Sequence, residues 1–191
     1  MNLNDIKENL FGVPVWSCKF HKEELHIHSY LEFLYNLREK EPDRKTRSGQ
    51  LNYQTNDNLQ EEGIFQEFIP LVNGLANDIV DQFKERFDYR VCIKSMWANI
   101  NGKDACNLPH IHSGDLSGVF YLKVPYNSGD IVFINPAQRS ESHRIRIQNR
   151  QISVDPTVCL IFPSWLEHYV TPNQTDEDRV SISFNIGPIE R

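Results

Sequence analysis

The sequence predicts a mainly β fold, a jelly roll or sandwich, with amphipathic helices ahead of the strands and packed on them. Three observations carry this. After Tyr89 the chain breaks into short β-like runs: Val91–Ile100, Ser117–Val124, Asp130–Ile134, Arg144–Ile147, Val158–Phe162 and Arg179–Ile186. Turn signals separate them, among them Asn101-Gly102, Ser113-Gly114, Asn127-Ser128-Gly129, Asn135-Pro136 and Pro172-Asn173. Before Tyr89 the apolar residues recur at helical spacing instead. Many short strands at close spacing favour a closed or two-layered β architecture over a parallel α/β sheet.

Within the first half, Leu10 to Phe20 reads as a strand, with Pro14 marking an edge. Ile27, Tyr30, Leu31, Leu34 and Leu37 define one helix within Glu23–Glu39. Residues 40–60 are polar and read as a long loop. Phe65, Phe68, Val72, Leu75, Ile79, Phe83 and Phe87 stripe a second helix, with Pro70 predicting a kink near its start. Such helices need a surface on which to bury their stripes. The 191 residues are therefore expected to form a single domain, 1–90 a strand and helical flank, 91–191 the β core. The helices could cover the sheet or form an interface between two copies, so a homodimer is open.

A net charge of −6 argues against nucleic acid as the partner, because binders of phosphate backbones carry a basic surplus. No apolar stretch is long enough to span a bilayer, and the polar start, Met1 to Glu8, predicts no secretory leader. Four cysteines, Cys18, Cys92, Cys106 and Cys159, form neither a C-x-x-C pair nor a disulfide framework. Reduced thiols in a cytoplasm are the expectation. Cys92 and Cys159 lie in apolar runs and are expected in the core.

Of seven histidines, His26 and His28 fall on a predicted helix, where i and i+2 diverge. His21 and His143 carry no signal of their own. His110-Ile111-His112 differs, because in an extended segment i and i+2 point to one side and can reach one ion. His168 follows the later run Val158–Phe162 and the turn Pro163-Ser164-Trp165. Two ligands at one strand edge and a third from a later strand leave one face of an octahedral ion open. Arg179 begins the alternating run Arg-Val-Ser-Ile-Ser-Phe-Asn, where its fork can meet a carboxylate with two charge-assisted hydrogen bonds. The plain alternative is a surface arginine paired with Asp176, Glu177 or Asp178.

These residues carry a resemblance. Trp97-Ala-Asn-Ile-Asn, Asn107-Leu-Pro-His-Ile-His, Leu116-Ser-Gly-Val-Phe-Tyr-Leu-Lys-Val-Pro, Phe162-Pro-Ser-Trp-Leu-Glu-His and Arg179-Val-Ser-Ile-Ser-Phe-Asn resemble, in that order, the 2-oxoglutarate and Fe(II)-dependent oxygenases, and within them small proteins of bacteria and phages. The likeness covers roughly residues 91 to 188. It implies a double-stranded β-helix core, Fe(II), 2-oxoglutarate and dioxygen. It also implies release of succinate and carbon dioxide as an unidentified substrate is hydroxylated, with Arg179 meeting the far carboxylate of the oxo acid. Tyr121 is the neighbouring candidate for a hydrogen bond to the cosubstrate. Asn99 and Ser181 follow, then Asn107, Ser117 and Asn185. Trp97 and Trp165 could wall the site or serve the core.

One position departs from the family pattern, which has His-x-Asp where this chain has His110-x-His112. Either three histidines hold the iron, or Asp115 swings in as the carboxylate and His112 stands behind it. Two other functions compete: a cupin-like dioxygenase with three histidines and no 2-oxoglutarate, and a non-catalytic jelly-roll binding module. Arg179 has a task only in the first reading. Arg139, Arg144, Arg146 and Arg150 could form a hairpin beside the pocket that welcomes an acidic substrate, or a solvated surface hairpin.

Overall fold

The computed structural model describes residues 6–10, 12–21, 25–42, 48–83, 89–136 and 149–189. Its strands form one curled antiparallel sheet. In chain order they are β1 (Ile6–Leu10), β2 (Val13–Lys19), β3 (Gly49–Gln54), β4 (Val91–His110), β5 (Leu116–Lys123), β6 (Ile131–Phe133), β7 (Arg150–Ile152), β8 (Val158–Pro163), β9 (His168–Val170) and β10 (Arg179–Pro188). Their order across the sheet is β1-β2-β8-β5-β10-β4-β9-β6-β7, with β3 also on β4. The α-helices among the described residues are α1 (Ile27–Lys40) and α2 (Phe68–Asp81). This is a mainly β fold with a jelly-roll core, as the turn-separated runs predict. Among the described residues no helix is long and apolar enough to cross a membrane.

Strand alternation divides the interior in two. On β10, Val180, Ile182, Phe184 and Ile186 face a large apolar cluster, while Arg179, Ser181 and Ser183 face a cavity on the other side. β4 repeats the division, with Met96, Ala98 and Ile100 in the cluster and Trp97 and Asn99 at the cavity. The helices cover the apolar face. Phe68 of α2 packs on Phe120 of β5 at 5.0 Å between ring centroids and on Phe184 at 6.2 Å. Tyr30 of α1 packs on Phe65 at 5.0 Å. A smaller cluster includes Val119, Phe133, Leu160 and Phe162, and its members Val119, Ile131 and Phe162 reach the cavity wall.

Four sequence expectations change. The single strand Leu10–Phe20 is a hairpin, β1 and β2, turning at Gly12 with φ +77°. The loop expected over 40–60 contains β3, a strand in addition to β1 and β2 among the described residues of the first ninety. The strand expected to stop at Ile100 continues to His110, because Asn101 is buried and donates to Asn107 Oδ1 at 3.2 Å instead of turning outward. A bulge absorbs the irregularity on each neighbour, and Asp104 takes φ +63°. Pro70 produces no break, since it stands in the first turn of α2, where its missing N–H has no acceptor to lose. Phe87, His143 and the expected strand Arg144–Ile147 lie outside the described residues, as do Arg139, Arg144 and Arg146. Arg150 opens β7 and is exposed. Cys159 is buried, but Cys92 is only half-buried.

Removing the Phe68 ring empties the junction between α2, β5 and β10. We expect Phe68→Ala to lower stability by about 3–5 kcal/mol. Urea unfolding followed by circular dichroism checks this, and a loss below about 1 kcal/mol would show that α2 is not a structural part of the core.

Candidate functional site

The end of β4 and the start of β9 lie side by side, and the register pairs His110 with His168. His112 lies just past β4, where its backbone N–H donates to the Ser164 carbonyl at 2.9 Å. That bond ties the strand exit to the turn that delivers His168. The three rings consequently converge. Their centroids are 4.5 Å apart for His110 and His168, 4.8 Å for His110 and His112, and 5.1 Å for His112 and His168. One nitrogen from each lies within 4.8 Å of the others, a group able to hold a metal ion.

Backbone carbonyls fix two of the tautomers. His110 Nδ1 donates to the Leu108 carbonyl at 2.6 Å, and His168 Nδ1 to the Leu166 carbonyl at 2.9 Å. A carbonyl only accepts, so each ring carries its proton on Nδ1 and turns the Nε2 lone pair inward. His168 Nε2 lies 3.3 Å from His112 Nε2. Burial pushes His168 down to about 3, with His110 and His112 adding to the effect. Burial, then the neighbouring His110, pushes His112 down to about 4. His110 is lowered by burial as well. Near neutral pH the cluster is three uncharged imidazoles, the form in which histidine binds a metal. Trp97 lies against His112 at 5.4 Å, and Phe162 against His168 at 4.8 Å.

Asp115 stands apart from this cluster. Its carboxylate accepts from Tyr89 Oη at 2.9 Å, and its backbone N–H donates to the Ile186 carbonyl.

Arg179 is only 2% exposed. Its Nη1 donates to the Gly129 carbonyl at 3.1 Å, and its Nε is buried without a hydrogen-bond partner. The neighbouring acids do not serve it. Asp176 takes Lys103 at 2.7 Å, Glu177 takes Lys123 at 3.3 Å and Asp178 takes Arg38 at 2.9 Å. The surface-arginine alternative is thereby removed. Burial works against the guanidinium charge, and the Tyr121 and Asp130 side chains favour it. Tyr121 is also buried, which raises its phenol to about 12, so it stays a neutral hydroxyl.

The histidines and Arg179 line one cavity. Tyr121, Asn99, Ser181 and Asn107 line it too. Asn99 is held by Asn52 at 3.2 Å and by Ser183 at 3.3 Å. Ser117 instead bonds Ser164 and Asn185 beneath the strand exit. Trp97 is a wall residue, whereas Trp165 is 54% exposed. Two polar lining residues were not anticipated. Ser183 was legible as the next same-face position after Arg179 and Ser181. Ser48, 3.5 Å from His110 Nε2, had no signal, since it lies in a stretch that reads as loop.

Residues 95–185 match the family described as "Putative 2OG-Fe(II) oxygenase". No curated protein matches the chain by sequence. Solved structures share its fold at low identity. HygX from Streptomyces hygroscopicus, crystallised with nickel and 2-oxoglutarate, is 12% identical with a TM-score of 0.62, over 92% of this chain and 83% of that one. A Pseudomonas putida prolyl-4-hydroxylase is 12% identical with a TM-score of 0.61, over 95% and 96%. The 2-oxoglutarate-dependent carbocyclase SnoK of nogalamycin biosynthesis is 10% identical with a TM-score of 0.70, over 96% and 85%.

The position of Asp115 yields a test of the donor set. With Co(II) as a spectroscopic probe, Asp115→Asn should leave affinity within about twofold, and His112→Ala should lower it at least about tenfold. The reverse ranking would make Asp115 the ligand.

Proposed function

We propose, from the premise that residues 95–185 belong to the 2OG-Fe(II) oxygenase family, that His110, His112 and His168 hold the iron and Arg179 anchors 2-oxoglutarate. The family sets the class, an oxygenase using Fe(II), 2-oxoglutarate and dioxygen. The reaction proposed is hydroxylation: substrate R–H, 2-oxoglutarate and dioxygen become R–OH, succinate and carbon dioxide. The single observation that carries the anchor is the buried Arg179 guanidinium, whose Nε has no partner and whose adjacent acids are all engaged elsewhere. A buried cation is costly unless paired, and a dicarboxylate in the same cavity supplies the pair. A cupin-like dioxygenase without an oxo acid would leave this charge with no task.

The residues present fit both groups. Three inward nitrogens suit a divalent ion and leave other positions open. Because all three are neutral, the ion keeps its full double charge, and a bound dianion offsets it. Bound iron supplies the activation of dioxygen coupled to decarboxylation of the oxo acid. The chain does the rest. The carbonyls of Leu108 and Leu166 hold the two imidazoles in their working tautomer. Arg179 receives the far carboxylate, with Tyr121 offering a neutral hydroxyl beside it. Trp97, Phe162 and Ile131 exclude water from the cavity, which strengthens each charge interaction inside it.

Anaerobic addition of Fe(II) and 2-oxoglutarate should give a metal-to-ligand charge-transfer absorption, and succinate should appear once air is admitted. His168→Ala should abolish the band; a band that survives at full strength would discard the ligand set. Arg179→Gln should raise the 2-oxoglutarate concentration for half-saturation by about a hundredfold, on the order of 3 kcal/mol for a lost charged pair. A change under about threefold would discard the anchor.

A further inference from the structure

A second cavity, about 470 Å³, shares a wall with the first. Ser48, Trp97, His110 and His112 line both, so whatever enters the outer one faces the histidine cluster directly. That volume suits a small organic molecule or one side chain with its flanking groups. Its chemistry contrasts with that of the inner cavity. Among the described residues, its wall carries no Asp, Glu, Lys or Arg. The apolar part is Trp97, Pro109, Leu108 and Ile111. Leu108 is 45% exposed and Ile111 60%, large apolar side chains presented to solvent at the mouth of a cavity.

The polar part is more specific. Asn185 is committed, since it donates to Ser95 Oγ and accepts from Ser117 Oγ. Gln54 is not. It stands on the cavity face of β3, opposite Asn99, and is 6% exposed. Among the described residues no hydrogen bond reaches its carboxamide. Its carboxamide is not sealed from solvent, and with no partner of its own its two donors and its acceptor stay available to whatever enters the cavity. The group that answers both at once is another amide.

We infer that the outer cavity takes a neutral substrate with an apolar body and a carboxamide or peptide group, the amide paired with Gln54 and the apolar body against Trp97, Leu108 and Ile111. A carboxylate or phosphate would leave water for a wall with no cation to receive it, at the cost of an unpaired buried charge. The inner cavity keeps the buried Arg179 cation for the oxo acid. Substrate and cosubstrate are thus sorted by charge. This inference rests on the oxygenase reading above, which fixes what lies behind the cavity.

The test uses two probes with one skeleton, N-acetyl-leucinamide and N-acetyl-leucine, the second a carboxylate at neutral pH. Each is titrated into the anaerobic complex with Fe(II) and saturating 2-oxoglutarate, following the shift of the charge-transfer band. In parallel, the side-chain amide resonances of the ¹⁵N-labelled metal-free protein are followed by NMR. The amide should bind at least about tenfold more tightly than the acid, the value of one hydrogen bond plus the avoided charge burial, and should move the Gln54 resonance. Gln54→Met, checked for folding by circular dichroism, should erase most of the preference. Ser113→Lys places a cation at the exposed rim and should narrow the gap by strengthening the acid. Equal affinity for the two probes, no binding of the amide, or a folded Gln54→Met with unchanged preference would each overturn the inference. Absence of the band before any probe is added would instead strike the oxygenase reading.

Discussion

The antiparallel ladder between β4 and β10 is the constraint from which core and site both follow. It runs from Arg179 opposite Asn101 to Pro188 opposite Val91, with one irregularity at Asn185 and Ile186. Because side chains alternate strictly along a strand, one register decides two things together. It turns Val180, Ile182 and Phe184 toward the helices, and it turns Arg179, Ser181 and Ser183 toward the cavity. A slip by one residue would exchange the two sets, burying serines and an arginine in the apolar cluster. The hydrophobic burial that folds the chain is therefore also what aims the arginine.

Electrostatics adds a second level of order. Three consecutive acids, Asp176, Glu177 and Asp178, precede the arginine, and each takes a cation from a different element: β4, β5 and α1. The exposed pairs contribute little to stability. Their effect is positional. They claim the carboxylates that sequence adjacency would otherwise offer to Arg179, and they hold the segment leading into β10. What is left inside, among the described residues, is the Arg179 guanidinium with neutral groups lining the same cavity.

Much of this was legible in the residues. The two-residue spacing of His110 and His112, the later His168 and the arginine on an alternating strand survive as neighbours in space, because strand parity is a local property. Parity also explains why Asn99, Tyr121 and Ser181 share the cavity. What was hidden depends on long-range pairing. The run Ser117–Val124 was legible as a strand, but that β5 is buried on both faces follows only from what packs on it. Asn101-Gly102 looks like a turn until Asn107 is seen to accept from the Asn101 side-chain N–H and Asn173 to donate to its backbone carbonyl inside the sheet. β3 is short and polar and becomes a strand only because β4 offers it an edge, and with it came Ser48 and Gln54. Asp115 was a fair candidate by position, but nothing in the sequence announces the Tyr89 hydroxyl that engages it.

The pairing order across the sheet bears on how the molecule comes together. β10 lies between β5 and β4, and β9 lies on the far side of β4, so the strands that complete the cavity are distant in sequence from the strand they complete. Closing such long loops is entropically expensive, and topologies of this kind fold slowly. Until β9 docks, His110 and His112 are a two-nitrogen fragment with no third donor. Until β10 inserts, the cavity has no cation. On the proposed reading, a partly assembled chain would thus lack the means to gather metal and oxo acid in one place, and oxidising power would arrive together with the walls that contain it.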